Sequence, residues 1–250
     1  MLQPQKENLA TKLGEFFTRL VDCAPFGNGT AGKSRVLDPV VLDGFFATLD
    51  PVITKARSSG AFVNVWEVAG LGCDELRNSR VLAWFLSQRA EHGLGNSLMA
   101  ALVKRCRELA GAETGAFPSV INDGRYTTII ESCPFGEKES RVDIELDGDE
   151  FLLFVEVKIN APETGNQLDR YVALARKKSN GRPWGVVFLT PTGKSPNENK
   201  STEGLALNCN ELLCMSWNEV SKVFFNVADR LDAGLVKSLL VQYASFVKKF

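Results

Sequence analysis

Two consecutive strand-like runs near the middle of the chain constrain the fold most strongly. Residues 140–146 alternate polar and apolar side chains and stop at a turn-forming sequence at residues 147–149, which predicts a strand followed by a hairpin turn. Residues 151–158 are apolar until the last three positions, as expected of a strand that is buried on both faces of a sheet. The charged residues at its end, Glu156 and Lys158, are therefore candidates for a functional site.

The end of the second predicted strand carries a set of residues suited to phosphodiester hydrolysis. Glu156 and Lys158 are two positions apart, so both project from one face of a strand, and the hairpin can bring Asp143 alongside them. Two carboxylates and a backbone carbonyl suit a hard cation such as Mg²⁺. A neighbouring lysine can orient or deprotonate the attacking water, while the cation stabilises charge on the phosphate oxygens. These residues predict a metal-dependent nuclease site.

A helix-like run follows the second strand and carries Gln167 and Tyr171, which are one turn apart on one face. On the simplest interpretation they are ordinary residues of an amphipathic helix, because Leu168, Tyr171 and Val172 contribute to an apolar stripe. Their spacing after the strand also makes both residues candidates for supporting the metal site or a nearby phosphate.

The order of these residues resembles that of a known enzyme family. Asp143 followed by the triplet at residues 156–158 resembles the PD-(D/E)XK nuclease superfamily, also called restriction-endonuclease-like, with Val142 in place of a proline that the family often lacks. Gln167 and Tyr171 are similar to the Gln-x-x-x-Tyr motif of the recombination-exonuclease branch. The resemblance implies that Asp143 and Glu156 bind metal and that Lys158 positions or activates the water.

Upstream segments extend this resemblance over most of the chain, from about Asn64 to Trp217. Residues 74–86 and 92–95 resemble the amino-terminal helical part of one bacterial subfamily, in which a helix glutamate joins the metal site. By position that glutamate is Glu75. The resemblance implies a mixed β-sheet flanked by helices, Mg²⁺ or Mn²⁺ as cofactor, and DNA in preference to RNA as substrate. By analogy, bacterial relatives of this kind suggest a role in anti-phage defence or restriction.

Several residues have simpler interpretations that compete with a catalytic one. Glu75 is expected in the metal site, and its simpler interpretation is a first-turn acid that complements the helix dipole. His92 is the only histidine and lies between two helical patterns, which favours a capping or structural role. Glu145 shares a strand face with Asp143 and is either an acid that supports the metal ligands or a solvated residue, and we expect it to be solvated. A second Glu-x-Lys triplet at residues 198–200 lies among turn-forming residues, so a solvated loop is expected there.

Length and composition indicate one compact enzyme domain. The chain has 250 residues, of which 44% are hydrophobic and 24% charged, an ordinary balance for a globular protein. We expect a single nuclease domain over residues 1–250, with residues 1–110 mainly helical and residues 111–250 forming the sheet core and closing helices. The polar amino terminus and the absence of long apolar runs predict a cytoplasmic protein without membrane association. Six cysteines without a Cys-x-x-Cys pair, and one histidine, support neither a zinc site nor a disulfide framework.

The pattern of apolar residues predicts the remaining elements. Helices are expected at residues 7–21, from Pro39 onward, and at 75–88, 96–109, 218–231 and 234–250; further strands are expected at residues 119–121, 126–131, 184–190 and 214–217. A helix between the strands at residues 151–158 and 184–190 implies a crossover and a parallel strand pair. The fold class is therefore mixed α/β.

The net charge of −1 is unusual for a protein that holds nucleic acid by its phosphates. Two basic clusters are available for a local contact: Arg170, Arg176, Lys177, Lys178 and Arg182 after the site, and Lys104, Arg105 and Arg107 on an earlier helix. Each is either a phosphate track or a solvated helix face. Modest affinity for nucleic acid leaves room for a partner protein. Cleavage of both strands by one site per chain favours a homodimer or paired active sites.

Two other functions remain open at this point. One is a catalytically silent nucleic-acid-binding or assembly module with the nuclease fold, although the intact acidic pair and lysine count against it. The other is a metal-dependent nucleotide hydrolase, which the lack of strong positive charge makes reasonable.

Overall fold

The computed structural model describes residues 39–111, 118, 124–136, 141–160, 167–194 and 211–250. The chain divides into two compact units, residues 1–62 (unit 1) and residues 63–250 (unit 2), and each is described by itself. The helix predicted at residues 7–21, the strand predicted at 119–121 and the triplet at 198–200 lie outside the described residues. The single nuclease domain over the whole chain stays a prediction.

The described part of unit 1 contains helix α1, Pro39–Ser58. It begins at the proline, as predicted, because proline lacks an N–H that the first turn of a helix would leave unpaired. Lys55 and Arg57 lie in its last turn, where positive charge complements the helix dipole.

A five-stranded mixed sheet forms the centre of unit 2. Its strands lie side by side in sequence order: β1 (Tyr126–Ser132), β2 (Val142–Gly148), β3 (Leu152–Val157), β4 (Trp184–Thr190) and β5 (Leu212–Ser216). The pairs β1/β2 and β2/β3 are antiparallel, and the pairs β3/β4 and β4/β5 are parallel. Every side chain of β3 is buried. The structure therefore confirms the mixed α/β fold, the buried central strand and the parallel pair across the crossover.

The turn between β2 and β3 differs from the prediction. Asp147 and Gly148 belong to β2, with Asp147 opposite Leu152, and the N–H of Gly148 donates to the carbonyl of Phe151 at 3.0 Å. A Cβ at Gly148 would lie 2.7 Å from the Phe151 ring, so the glycine is needed for close packing within the strand. The chain reverses at residues 149–150 instead.

Helices cover both faces of the sheet. They are α2 (Val65–Val68), α3 (Glu75–Leu86), α4 (Ser97–Ala110), α5 (Gln167–Ser179), α6 (Trp217–Ala228) and α7 (Leu235–Val247). One core joins the sheet to α3, α4, α6 and α7 through buried residues such as Phe85, Leu98 and Phe224. A smaller core holds Tyr171 and Val172 of α5 against the opposite face. This sandwich fixes α3 and α5 at the end of the sheet where the charged residues of β3 lie.

Candidate active site

Three parts of unit 2 meet at the end of β3 and enclose a cavity of about 530 Å³. The antiparallel register pairs Ile144 with Val155, so the next residues outward, Asp143 and Glu156, come to lie side by side. Helices α3 and α5 close the space from either side. All six predicted site residues line this cavity: Glu75, Asp143, Glu156, Lys158, Gln167 and Tyr171.

Asp143 is held across the hairpin by a backbone hydrogen bond. Its Oδ2 accepts from the N–H of Val157 at 2.9 Å. Burial raises the pKa of the Asp143 carboxyl above its ordinary value, although the Val157 N–H and the charge of Lys158 act in the opposite direction. The carboxyl group is therefore fixed in position and poorly solvated, so a bound cation would stabilise its ionised form.

Glu156 is the most deeply buried carboxylate of the cavity, with 2% of the residue exposed. Its Oε1 accepts from Lys158 Nζ at 2.8 Å and from Gln167 Nε2 at 2.6 Å. Its Oε2 is buried and accepts no hydrogen bond from the described residues. Burial, and then the negative charge of Asp143, raise the pKa of Glu156 to about 7. A buried carboxylate oxygen without a donor is costly, so this atom is suited to a cation or to a proton donor.

Lys158 lies between two carboxylates. Its Nζ is 2.8 Å from Glu156 Oε1 and 3.9 Å from Glu75 Oε2. Burial is the largest single influence and acts to lower the pKa of Lys158. The charge of Glu156 and its hydrogen bond to Lys158, together with the charges of Glu75 and Asp143, outweigh burial and raise the pKa above its ordinary value. The ammonium group therefore stays protonated near neutral pH. Of the two roles expected for it, this favours orienting a water over deprotonating one.

Gln167 and Tyr171 form a chain of hydrogen bonds behind Glu156. Gln167 Nε2 donates to Glu156 Oε1 and, at 2.8 Å, to the Tyr171 hydroxyl oxygen. The Tyr171 hydroxyl donates to the carbonyl of Arg141 at 2.9 Å. The ring of Tyr171 also packs in the smaller core, so the residue belongs both to the apolar stripe of α5 and to the site. Both residues can position Glu156 without taking part in bond making.

Glu75 does more than complement a helix dipole. It follows Asp74, the residue that caps α3 by accepting from the N–H of Arg77 at 3.0 Å. Glu75 Oε1 accepts from the backbone N–H groups of Ile159 at 2.7 Å and Asn160 at 3.3 Å. The carboxylate thereby ties α3 to the chain that leaves β3. Its place as a metal ligand stays a prediction.

The donor set of the cavity fits a magnesium-like ion. Among the described residues, no group of three or more His, Cys, Asp or Glu side chains is arranged to hold a metal. Mg²⁺ usually takes one or two carboxylates and keeps several waters, and the adjacent carboxylates of Asp143 and Glu156 supply that number. The Oε2 of Glu156, which has no donor in the described part of the chain, is the atom that such an ion would satisfy.

Glu145 corrects one expectation. It was expected to be solvated, yet it is fully buried. Its Oε1 forms an ion pair with Lys178 Nζ, and its Oε2 accepts from Ser132 Oγ at 2.8 Å. The expectation is wrong because α5 lies over this face of β2 and brings Lys178 onto the carboxylate. Glu145 therefore anchors α5 and is not a lining residue of the cavity.

His92 has the structural role that its position indicated. The residue is 6% exposed, its Nε2 lies 2.9 Å from the carbonyl oxygen of Trp84, and its Nδ1 accepts from the N–H of Leu94 at 3.0 Å. Both ring nitrogens are used in holding the loop after α3. The residue does not line the cavity.

The cavity also includes residues that sequence reasoning did not assign to the site, among them Arg141 and Asn160. Arg141 lies two positions before Asp143, a spacing that places both on one face of an extended chain. That spacing was the available signal. The Arg141 guanidinium is half exposed and its Nη1 lies 2.8 Å from Glu131 Oε1.

The basic cluster on and after α5 is largely engaged within the protein. Lys178 pairs with Glu145, and Arg182 pairs with Asp147 at 2.9 Å. Arg176 and Lys177 lie over the rings of Trp184 and Phe135. Because most of these side chains already contact other residues of the protein, few of them are available to bind phosphates.

Comparison with known protein families agrees with this geometry. The family model of the PD-(D/E)XK nuclease superfamily matches residues 63–248, and the chain belongs to that superfamily. Searches of curated proteins and of solved structures found no match. The mixed sheet with flanking helices is consistent with the restriction-endonuclease-like fold. Among the described helices, none is long and apolar enough to cross a membrane.

Proposed function

We propose that this chain is a Mg²⁺- or Mn²⁺-dependent nuclease that hydrolyses phosphodiester bonds, with DNA as its preferred substrate. The observation that carries the proposal is Glu156, a buried carboxylate with one oxygen that accepts no hydrogen bond from the described residues. It lies between Asp143 and Lys158 at the wall of an open cavity. Membership of a nuclease superfamily supports the reaction class. The preference for DNA, and a role in anti-phage defence or restriction, rest on the resemblance of the motifs to bacterial nucleases.

Asp143 and Glu156 would hold the cation, with Glu75 as a third carboxylate. The ion, when bound, supplies Lewis-acid stabilisation of the phosphate and favours ionisation of a water. Lys158 is protonated, so its ammonium donates a hydrogen bond that orients the attacking water and offsets negative charge on the phosphate. Two of its three N–H bonds can face the carboxylates, which leaves one for the reacting groups.

Gln167 and Tyr171 would act through Glu156. The amide of Gln167 fixes the Glu156 carboxylate in one orientation, and Tyr171 in turn fixes the amide. Glu75 would set the position of the segment that follows β3 through its two backbone hydrogen bonds. Such positioning matters because small displacements of reacting groups cost large factors in rate.

A panel of substrates tests the proposal. Linear duplex, single-stranded DNA, plasmid, RNA and free nucleotides are incubated with the protein in Mg²⁺, Mn²⁺ or EDTA. We expect DNA cleavage with either metal and none in EDTA. The matched variants are Asp143→Ala, which should be inactive, and Glu150→Ala, an exposed carboxylate in the β2–β3 turn, which should be active. Product from free nucleotides alone would establish a nucleotide hydrolase, and binding without any hydrolysis would establish a silent module.

A further inference from the structure

Another cavity, of about 600 Å³, lies in a groove between α4 and α6. None of its described lining residues lines the candidate active site. Lys222, Asn226 and Arg230 follow one another at intervals of four residues, so they lie on one face of α6 and its continuation. Lys104 lines the groove from α4, and Ala100 contributes a short side chain that leaves room for a ligand. We call this surface the α4/α6 groove.

The α4/α6 groove carries positive charge that no ion pair among the described residues neutralises. Arg105 pairs with Glu219 at 2.6 Å and with Glu108 at 2.9 Å, and Lys222 also pairs with Glu219. Lys104 and Arg230 are exposed. Neither forms an ion pair with any residue in the described part of the chain. Two solvated cations, Lys104 and Arg230, therefore line the same groove.

Helix α6 connects this groove to the candidate active site. Its first residue, Trp217, donates from Nε1 to the carbonyl of Lys158 at 3.0 Å. From that contact the helix leads along the groove past Lys222 toward Arg230. At a rise of about 1.5 Å per residue, the distance from Lys222 to Arg230 is roughly 12 Å. The groove therefore leads away from the end of the sheet at which Lys158 lies, over a length that spans several phosphates at about 3.4 Å per nucleotide along one strand.

The chemistry of the lining selects the kind of ligand. Among the described residues of the groove there is no aromatic ring and no apolar side chain larger than Val223. Protein partners usually bury aromatic or large aliphatic anchors, and readers of single-stranded bases usually stack them on aromatic rings. Lysine, arginine and asparagine side chains instead suit phosphate and sugar oxygens.

We propose that the α4/α6 groove binds the sugar-phosphate backbone of the nucleic acid at a distance from the cleaved bond, with Lys104 and Arg230 as the phosphate contacts. The inference rests on the proposed nuclease function, because it assigns a further contact surface to the same substrate. Asn226 lies between Lys222 and Arg230 and supplies an amide donor for a third backbone oxygen. Binding of this kind is independent of base sequence and falls steeply with salt.

The test compares two double variants in EDTA, where the proposed hydrolysis does not proceed. Lys104→Gln/Arg230→Gln removes both groove cations. Arg89→Gln/Lys248→Gln removes two exposed cations that line neither cavity and therefore matches the change in net charge. Binding of a fluorescein-labelled 40-base-pair duplex is followed by anisotropy over a series of salt concentrations. Melting temperatures of both variants should stay near wild type, because exposed substitutions without partners have little effect on stability.

We expect the slope of log K against log salt to become shallower by about 1.8 in the groove variant, since each lost phosphate contact removes about 0.9. The matched variant should keep the wild-type slope. An unchanged slope in the groove variant, an equal decrease in both variants, or no binding by wild type would each overturn the proposal. Cleavage is scored separately in Mn²⁺. If wild type cleaves DNA but the groove variant keeps the wild-type slope, the proposal for the groove is wrong and the nuclease function stands. If the groove variant has the shallower slope but wild type does not cleave DNA, the nuclease function is wrong and the groove proposal stands.

Discussion

The active-site cavity and the α4/α6 groove differ in charge and in exposure. Among the described residues, the candidate active site is lined by four carboxylates and two basic groups: Asp74, Glu75, Asp143, Glu156, Arg141 and Lys158. The described lining of the α4/α6 groove has four basic groups and one carboxylate: Lys104, Arg105, Lys222, Arg230 and Glu108. A chain with a net charge of −1 thus separates an acidic site suited to a cation from a basic surface suited to phosphate. Net charge alone is a poor guide to function when opposite charges are segregated in this way.

Burial explains why the two regions respond differently to their surroundings. Glu156 is 2% exposed, and its environment shifts its pKa to about 7. The cations of the groove face water, where salt screens interactions beyond about 10 Å at 0.1 M ionic strength. We therefore expect changes in the active site to affect turnover and pH dependence, and changes in the groove to affect affinity and salt dependence.

The largest effect is expected for the core of the acidic cavity. Asp143→Ala, Glu156→Ala and Lys158→Ala should each abolish metal-dependent cleavage without unfolding the protein. Because these residues act as one unit, a double variant should be no worse than either single variant. Single-turnover cleavage of duplex DNA measures the rates, and circular dichroism checks the fold. Near-normal turnover in Lys158→Ala would show that the Lys158 ammonium group is not needed to orient the attacking water.

An intermediate effect on turnover is expected for the residues that support Glu156. Gln167→Ala and Tyr171→Phe should lower turnover by up to about a hundredfold, through positioning of the carboxylate. Ala173→Ser on the exposed side of α5 is the matched control. Turnover at saturating substrate separates this effect from binding. Wild-type rates in both Gln167→Ala and Tyr171→Phe would show that these two residues do not position Glu156 for catalysis and that α5 has only a structural role.

The ion pair beneath α5 predicts a loss of stability. Lys178→Met leaves Glu145 buried without a cation, and breaking a buried pair in this way costs about 3–5 kcal/mol. Lys177→Met, next to it and exposed, should cost less than about 1 kcal/mol. Urea unfolding of both variants gives the two free energies. Equal values would mean that α5 does not depend on the Glu145 contact.

Without metal, Glu156 should make stability depend on pH. Its folded pKa of about 7 lies above the ordinary value of 4.5, so the native state holds a proton that the unfolded state has released. The stabilisation is full below pH 4.5 and is lost as the pH rises through about 7, a change of roughly 3 kcal/mol. Melting temperatures in EDTA should therefore fall between pH 5 and pH 8 in wild type and fall less in Glu156→Gln. Parallel curves would mean that another group causes the dependence.

The sequence predicted the acidic cavity better than it predicted the basic groove. Asp143, Glu156 and Lys158 follow from the period of two along strands and from one hairpin, which are local patterns. The burial of Glu145 depends on the placement of α5 over β2, which no local pattern specifies. The α4/α6 groove depends on contacts between distant segments, such as Arg105 with Glu219. Lys104 and Arg105 were recognised as a basic cluster, but their partners on α6 required the folded structure.

The most direct test of a cation held by Asp143 and Glu156 is a set of melting curves for wild type and Asp143→Asn, each in EDTA and in millimolar Mn²⁺. In EDTA the variant should melt higher than wild type, because it removes the repulsion between two adjacent carboxylates, an effect that Lys158 limits. Mn²⁺ should raise the melting temperature of wild type, since a ligand bound only by the folded state stabilises it by about 2.7 kcal/mol at a hundredfold excess over its dissociation constant. The variant should gain little. Equal metal-induced shifts in the two proteins would contradict the account, because the metal would then bind elsewhere.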